Sequence, residues 1–176
     1  TTGTDNVIMG ASAGAALVAG SNNVALGFES LMTEDGNGES TAVGYQTLKM
    51  QNAGASGLNV AVGYQAGSAV TTGVKNVIVG ASAGDALAAG ANNTAVGYEA
   101  LSTEDANGNS TAIGYRALKT QNAGAEAYNV AVGVDAGLSV TTGIKNVIMG
   151  AFAGDALDAG ANNVAIGYEA LSTEDA

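Results

Sequence analysis

The pentapeptide NVAVG at residues 59–63 decides the fold, because nine further pentapeptides of the same kind occur along the chain. Each has Asn or Ser, then Val or Thr, then Ala or Ile, then Val, Ile, Leu or Met, and finally Gly. The ten copies occupy residues 6–10, 23–27, 40–44, 59–63, 76–80, 93–97, 110–114, 129–133, 146–150 and 163–167. The step from one copy to the next is either 17 or 19 positions, and the order of steps begins again at Asn76 and Asn146. The chain is therefore divided into superrepeats 6–75, 76–145 and, in part, 146–176, and a fixed period of this kind predicts a solenoid in which each repeat forms one coil.

Each pentapeptide predicts a short β-strand that ends at a corner. β-Branched residues at alternate positions favour a strand, and because both of its faces are apolar, we expect both to be covered. We expect the larger side chains to fill the inside of the coil and the small Ala to let a second surface come close. The Gly that closes every strand indicates a positive φ or a close approach that a Cβ would block. The predicted structural corners are Gly10, Gly27, Gly44, Gly63, Gly80, Gly97, Gly114, Gly133, Gly150 and Gly167.

The rest of each unit predicts a second short segment and a polar return turn. Segments such as YEAL at 98–101 and ASAG at 81–84 could form a second strand or a single helical turn, and the sequence leaves both open. A unit of this size cannot bury its own apolar face, whereas ten stacked units can. The sequence therefore predicts one all-β parallel solenoid over residues 1–176, roughly 45–50 Å long. The Asn and Ser residues that begin the pentapeptides would stack and hydrogen-bond along its axis.

Composition excludes several classes of function. Among 176 residues there are 5 Lys and Arg, 16 Asp and Glu, and no Cys, His, Pro or Trp, with a formal net charge of −11. Zinc, haem, iron–sulfur and thiol chemistry lose their usual ligands, and Ser-His-Asp catalysis loses its base. The negative charge argues against a nucleic-acid partner, and no apolar run is long enough for membrane insertion. The chain does not begin with Met, so we expect it to be a fragment of a longer protein.

Two acidic loops, TEDGNGES at 33–40 and TEDANGNS at 103–110, place oxygen-bearing side chains at alternate positions. This spacing is typical of the opening of a Ca²⁺ loop, although the Gly falls one position early for an EF-hand and the bidentate Glu is missing. A solvated turn rich in turn-forming residues explains the same pattern. The candidate metal ligands are Asp35, Asn37, Glu39, Asp105, Asn107 and Asn109, and no cofactor other than Ca²⁺ is expected.

An aromatic residue directly follows the corner Gly in six coils. These residues could form a ladder that stacks on sugars, or they could cap the corner and pack on the next coil. The candidates for ligand stacking are Tyr45, Tyr64, Tyr98, Tyr115 and Tyr168, and Phe28 occupies the same slot.

Charged residues also recur in fixed slots. Glu99 and Arg116 occupy the same slot on neighbouring coils, so an ion pair between them is expected, although an exposed pair contributes little to stability. Paired carboxylates can cleave glycosides, but Glu29, Glu99 and Glu169 recur with the repeat. Since an active site is normally unique, we expect a scaffold and not an enzyme.

Segments NVAVGYQAG at 59–67, NTAVGYEAL at 93–101 and STAIGYRAL at 110–118 resemble the head repeats of trimeric autotransporter adhesins, the YadA-like or haemagglutinin repeats. They also resemble the repeats of phage tail fibres. The resemblance spans essentially the whole chain, although the adhesin repeat is shorter than the repeat of this chain. It implies a left-handed parallel β-roll, a homotrimer around a threefold axis, and a location in a virion tail fibre or on the bacterial cell surface.

We therefore expect a structural shaft or head segment that sets length and stiffness and displays a receptor-binding tip for host attachment. Its partners would be two further copies of itself, with a host surface glycan or protein at the tip. A closed assembly would also cover an apolar strand face that should not be left in water. Two alternatives remain: a glycan- or Ca²⁺-binding adhesion module that acts through the repeat loops, and a self-assembling extracellular filament protein.

Overall fold

The structure is a computed structural model that describes residues 2–36, 38–104, 106, 108–155 and 157–172. The described residues form ten short strands and no helix. The strands are β1 Val7–Met9, β2 Val24–Leu26, β3 Thr41–Val43, β4 Val60–Val62, β5 Val77–Val79, β6 Thr94–Val96, β7 Thr111–Ile113, β8 Val130–Val132, β9 Val147–Met149 and β10 Val164–Ile166. They pair in parallel in chain order within one sheet. The predicted all-β parallel solenoid is confirmed.

Strand register follows the pentapeptides without interruption. Thr94 pairs with Thr111 across the shorter step, and Thr41 pairs with Val60 across the longer one. The extra residues of the longer coil therefore do not disturb the ladder. They lie in the return segment, where Gly54 has no other atom within 4 Å of the position a Cβ would take.

The middle residue of each strand points into the coil, which reverses the expected packing. Ala95 and Ile78 are completely buried, whereas the flanking Val77 is 41% exposed and Ile113 is 39% exposed. Since side chains alternate across a strand, the first and third residues share the outer face and only the middle one reaches the core. The prediction that the larger side chains fill the coil was wrong.

The core is completed by the segment that follows each corner, with sizes matched across the coil. Where the strand centre is Ala95, the fourth residue after the corner is the fully buried Leu101. Where it is Ile78, the same slot holds Gly84, and a Cβ there would lie 3.4 Å from Ile78 Cδ1 and 2.7 Å from Leu87 Cδ1. In these coils a large residue on one side thus faces a small residue on the other, whereas next to Ala61 the same slot holds Gly67, and the space there is filled by Leu48, Val70 and Ile78.

The segment after each corner is a series of turns, neither the second strand nor the helical turn left open by the sequence. Its second residue has a left-handed backbone in every coil, with φ of 49° at Glu99 and 51° at Arg116. The turns stack as the strands do, because the Glu99 N–H donates to the Ala81 carbonyl at 3.0 Å and the Arg116 N–H to the Tyr98 carbonyl at 2.8 Å. The same dihedral angles must recur in each coil for this ladder to continue.

The glycines proposed as corners have φ between 129° and 143°. A Cβ on Gly97 would lie 2.6 Å from the carbonyl carbon of Gly114 and closer still to its oxygen. Gly167, in the last described coil, has only the Ala170 Cβ nearby, at 4.0 Å. The corners therefore form a column in which each Gly leaves room for the backbone of the coil above.

Buried Asn side chains bind successive coils together beneath the strands. Asn76 Oδ1 accepts the backbone N–H of Asn93 at 2.8 Å, and its Nδ2 donates to the Gly90 carbonyl at 2.8 Å. The expected bonds along the axis are present, but they join a side chain to backbone groups. Because both Asn residues are buried, each bond removes a desolvation penalty that an unpaired group would carry.

Candidate functional site

The outer strand face is a mainly apolar strip along the sheet, interrupted by Thr41, Thr94 and Thr111, and its side chains are exposed or half-buried. Val60, Val62, Val77 and Ile113 are between 37% and 41% exposed, and Met9 is 67% exposed. Ten rungs at about 4.8 Å give a strip about 45 Å long and, with two side-chain columns, about 10 Å wide. An area of roughly 450 Å² compares with the largest apolar patches of ordinary monomers, which are often functional.

The aromatic residues after the corners form a second exposed column. Phe28 stacks on Tyr45 with ring centroids 5.3 Å apart, and Tyr45 stacks on Tyr64 at 5.2 Å. Tyr98 stacks on Tyr115 at 5.3 Å. These side chains are 42% to 54% exposed, so the ladder lies on the surface and contributes to packing between coils.

Most ring faces in this column are already occupied. Tyr45 has a ring on each side, and the Arg116 guanidinium lies 4.9 Å from the centroid of Tyr115. Tyr168 meets the ring of Phe152 edge-on at 6.0 Å. Tyr64 and Tyr98 each have one stacked neighbour, and between them the slot holds Ala81.

The slot after the aromatic column carries amides and charges. Gln46 Nε2 donates to Glu29 Oε2 at 2.7 Å, and Gln65 Nε2 donates to Gln46 Oε1 at 2.9 Å. Lys49 Nζ lies 2.7 Å from Glu29 Oε2. Hydrogen bonds from Lys49 and Gln46 lower the pKa of Glu29.

The expected Glu99–Arg116 ion pair is not formed. Arg116 instead donates Nε and Nη2 to both carboxylate oxygens of Asp135 at 2.8 and 2.9 Å, and this pairing raises its pKa. Glu99 pairs with Lys119 at 2.6 Å, and that hydrogen bond lowers the Glu99 pKa. Acidic residues flank Arg116 in its slot on both sides, and the bidentate geometry favours Asp135. The Tyr98 pKa is raised, chiefly by its hydrogen bond to Glu99.

The two acidic loops bring together few of the candidate metal ligands. Asp35 and Glu39 are exposed, and Asn109 donates its amide to the Glu126 carboxylate. Asn37, Asp105 and Asn107 lie outside the described residues. Among the residues that the structure describes, no group of three or more acidic side chains could hold a metal ion.

A buried polar network beside each loop was missed in the sequence. Gln51 Nε2 donates to Glu34 Oε2 at 2.8 Å and to Ser40 Oγ at 2.9 Å, while Gln51 Oε1 accepts from Asn59 Nδ2 at 2.8 Å. All four side chains are buried. The signal was available, because Ser40 and Ser110 interrupt the Asn column, and each interruption precedes one of the longer steps.

The same network recurs one superrepeat later. Gln121 contacts Glu104 at 2.7 Å, Ser110 at 3.0 Å and Asn129 at 2.7 Å. The long Gln bridges the short Ser to the Glu and Asn side chains around it, although the buried Glu104 Oε1 has no hydrogen-bond partner among the described residues. These residues therefore have a structural role inside the solenoid.

These features define the chain as a parallel β-solenoid with two exposed columns, one aliphatic and one aromatic. Comparison with protein-family models, with curated proteins and with solved structures finds no match to this chain. No helix within the described ranges is long and apolar enough to cross a membrane.

Proposed function

We propose that this chain is a structural segment of a trimeric fibre, either a phage tail fibre or a cell-surface adhesin. In this role it sets length and stiffness and carries a receptor-binding tip located elsewhere in the protein. The observation that carries the proposal is the exposed aliphatic strip, which follows an unbroken ten-rung ladder. Uniform rungs favour a mechanical role, since a coil repeated with so little change offers no unique catalytic position.

In this assembly, further copies of the chain shield the apolar strip from water. A rotation axis parallel to the solenoid lets identical strips face each other while all chains run in the same direction, as a polar fibre requires. The resemblance of the repeats to trimeric adhesins and tail fibres favours an assembly of three chains. The interface grows by about 4.8 Å with every coil, so longer arrays hold together more firmly.

Solution mass tests this assembly. One chain has a mass of 17.0 kDa, and light scattering at several protein concentrations should give a particle of three times that mass. A monomer with an intact β signal in circular dichroism would overturn the trimer. Polydisperse species that grow with concentration would instead favour an end-to-end filament.

Charged substitutions locate the interface. Replacing Val77 and Val130 together by Glu should give a monomer that keeps its β signal, because both side chains point outward from the sheet and neither fills the core. The matched control is Met50→Glu, which alters a residue that is 50% exposed and lies outside the strands. If the double variant keeps the same trimer mass as the Met50→Glu control, the strip is not the interface.

A further inference from the structure

The aromatic column has a gap one coil high at Ala81. In the slots directly below and above lie Tyr64 and Tyr98, which are 54% and 46% exposed. The backbone does not break there, because the Ser82 N–H donates to the Tyr64 carbonyl at 2.9 Å and the Glu99 N–H donates to the Ala81 carbonyl at 3.0 Å. Only side chains are missing, so the gap is a notch between two rings.

The notch has the height of one ring. Neighbouring rings in this column are 5.2 to 5.3 Å apart, centroid to centroid. Two such steps separate Tyr64 from Tyr98, so the rings stand about 10 Å apart. A single ring placed midway would lie at the ordinary stacking distance from both.

Polar groups line the same notch. The slot that directly follows the aromatic slot holds Ser82 after Ala81 and Gln65 after Tyr64. Gln65 Nε2 is bound to Gln46, whereas the Gln65 Oε1 and the Ser82 hydroxyl have no hydrogen-bond partner among the described residues. Above them, Glu99 is held by Lys119. Two aromatic walls and a few polar groups at the edge are the usual composition of a small-molecule site.

The next superrepeat places a ring in the slot next to the one that corresponds to Ala81. Residues 146–162 differ from residues 76–92 at three positions, and one difference puts Phe152 where the earlier coil has Ser82. The Phe152 ring packs edge-on against Tyr168, the counterpart of Tyr98, at 6.0 Å. A ring beside Tyr168 therefore leaves the strand ladder undisturbed, although the aromatic slot of the coil below holds Val134 there and not a tyrosine.

We infer that the notch between Tyr64 and Tyr98 binds one pyranose ring of a saccharide. The C–H faces of the sugar would lie against the two tyrosine rings, and its hydroxyls would bond to Gln65 Oε1 and Ser82 Oγ. An aromatic ligand would fill the same height but would make no hydrogen bond to either half-buried group, whereas a sugar bonds to both. This site is separate from the aliphatic strip, so its existence does not depend on the trimer.

Nuclear magnetic resonance of the full chain with labelled tyrosine rings tests the site. Methyl β-D-glucopyranoside and methyl β-D-galactopyranoside serve as probes, and benzyl alcohol is the aromatic comparison. At least one pyranoside should shift the ring signals of Tyr64 and Tyr98 in a saturable manner and leave Tyr168 unchanged. No shift with either sugar, shifts spread equally over all tyrosines, or tighter binding of benzyl alcohol would overturn the inference.

Two variants complete the test. Ser82→Phe copies the residue found at position 152, so the fold should persist while pyranoside binding is lost. Tyr98→Ala should weaken binding about five- to tenfold by removing one wall, and Tyr168→Ala is the matched control with unchanged affinity. Unaltered binding in Ser82→Phe would place the sugar elsewhere and refute the notch.

Discussion

Replacing Gly97 by Ala should destabilise the solenoid far more than the same change at Gly167. Both glycines have nearly the same backbone conformation, with φ of 135° and 129°. Within the described residues, Gly97 but not Gly167 has a further coil directly above it, and a Cβ on Gly97 would lie 2.6 Å from the Gly114 carbonyl carbon. The pair of variants therefore separates backbone strain from obstruction of stacking.

The structure gives the magnitude. Ordinary contact requires the Cβ and the neighbouring carbonyl to move apart by about 1 Å, which stretches the backbone bonds between these two coils beyond hydrogen-bonding distance. Three of the bonds between these two coils run to the carbonyls of Val96, Tyr98 and Ser110, with lengths of 2.7 to 2.9 Å. Each contributes about 0.5–1.5 kcal/mol, and the strained φ costs about 1–3 kcal/mol. We expect a loss of about 3–7 kcal/mol for Gly97→Ala and only the strain, about 1–3 kcal/mol, for Gly167→Ala.

Denaturant unfolding gives the global stability, and amide hydrogen exchange gives the local one, which matters because neighbouring coils of a repeat protein can open separately. Gly36→Ala provides the baseline, since Gly36 has no positive φ and no other atom within 4 Å of its Cβ position. If Gly97→Ala lies within about 1 kcal/mol of Gly36→Ala, the corner column does not limit coil spacing and the reasoning fails.

Two further predictions concern buried and half-buried polar groups. Gln121→Leu should destabilise the protein by about 2–5 kcal/mol, because Glu104, Ser110 and Asn129 lose their shared partner in the interior; a thermal unfolding midpoint equal to that of wild type would contradict this network. Burial raises the pKa of Asp85, so the native state holds the Asp85 proton more tightly than the unfolded chain does. The contribution of this group to the free energy of unfolding is therefore lost as pH rises through the raised pKa. The stability of wild type relative to Asp85→Asn should therefore fall as pH rises from the ordinary carboxyl pKa through the raised one, and a difference that stays constant with pH would refute this assignment.

The strand ladder could be predicted from sequence because Asn or Ser and Gly mark the same two slots in every coil. These markers fix where each strand begins and ends, and with them the parallel register. The inside and outside of the strand could not be assigned from hydrophobicity, since Val60 and Val62 on the outer face are as apolar as any core residue. A partial signal was the pairing of Ile78 with Gly84 and of Ala95 with Leu101, which becomes interpretable once the two segments are known to face each other.

The surface columns were harder to predict than the ladder. Arg116 and Glu99 do occupy the same slot on neighbouring coils, as predicted. The partner of Arg116 could not be chosen from that pair alone, because Asp135 in the coil above binds it in a bidentate manner. The aromatic residues were identified by slot, whereas the availability of their faces depends on which neighbouring slots hold small residues. Gln51 was overlooked because it recurs only once per superrepeat, at Gln121, and not in every coil, although the Ser that it contacts interrupts a regular column.

The repetition itself indicates where specific roles should be sought. A feature present in every coil, such as the corner Gly, serves stacking, and its loss affects all interactions of that coil with the next. A feature present once serves something that stacking does not require. The extra residues of the longer coils bulge outward beside a buried Gln, which explains them structurally. Ala81 and Ser82 recur as Ala11 and Ser12, but only Ala81 has a tyrosine in the aromatic slot on both sides, and a Phe at position 152 leaves the ladder intact. The ladder thus tolerates both a small and a large side chain next to this position, so stacking does not fix what lies between the two tyrosines.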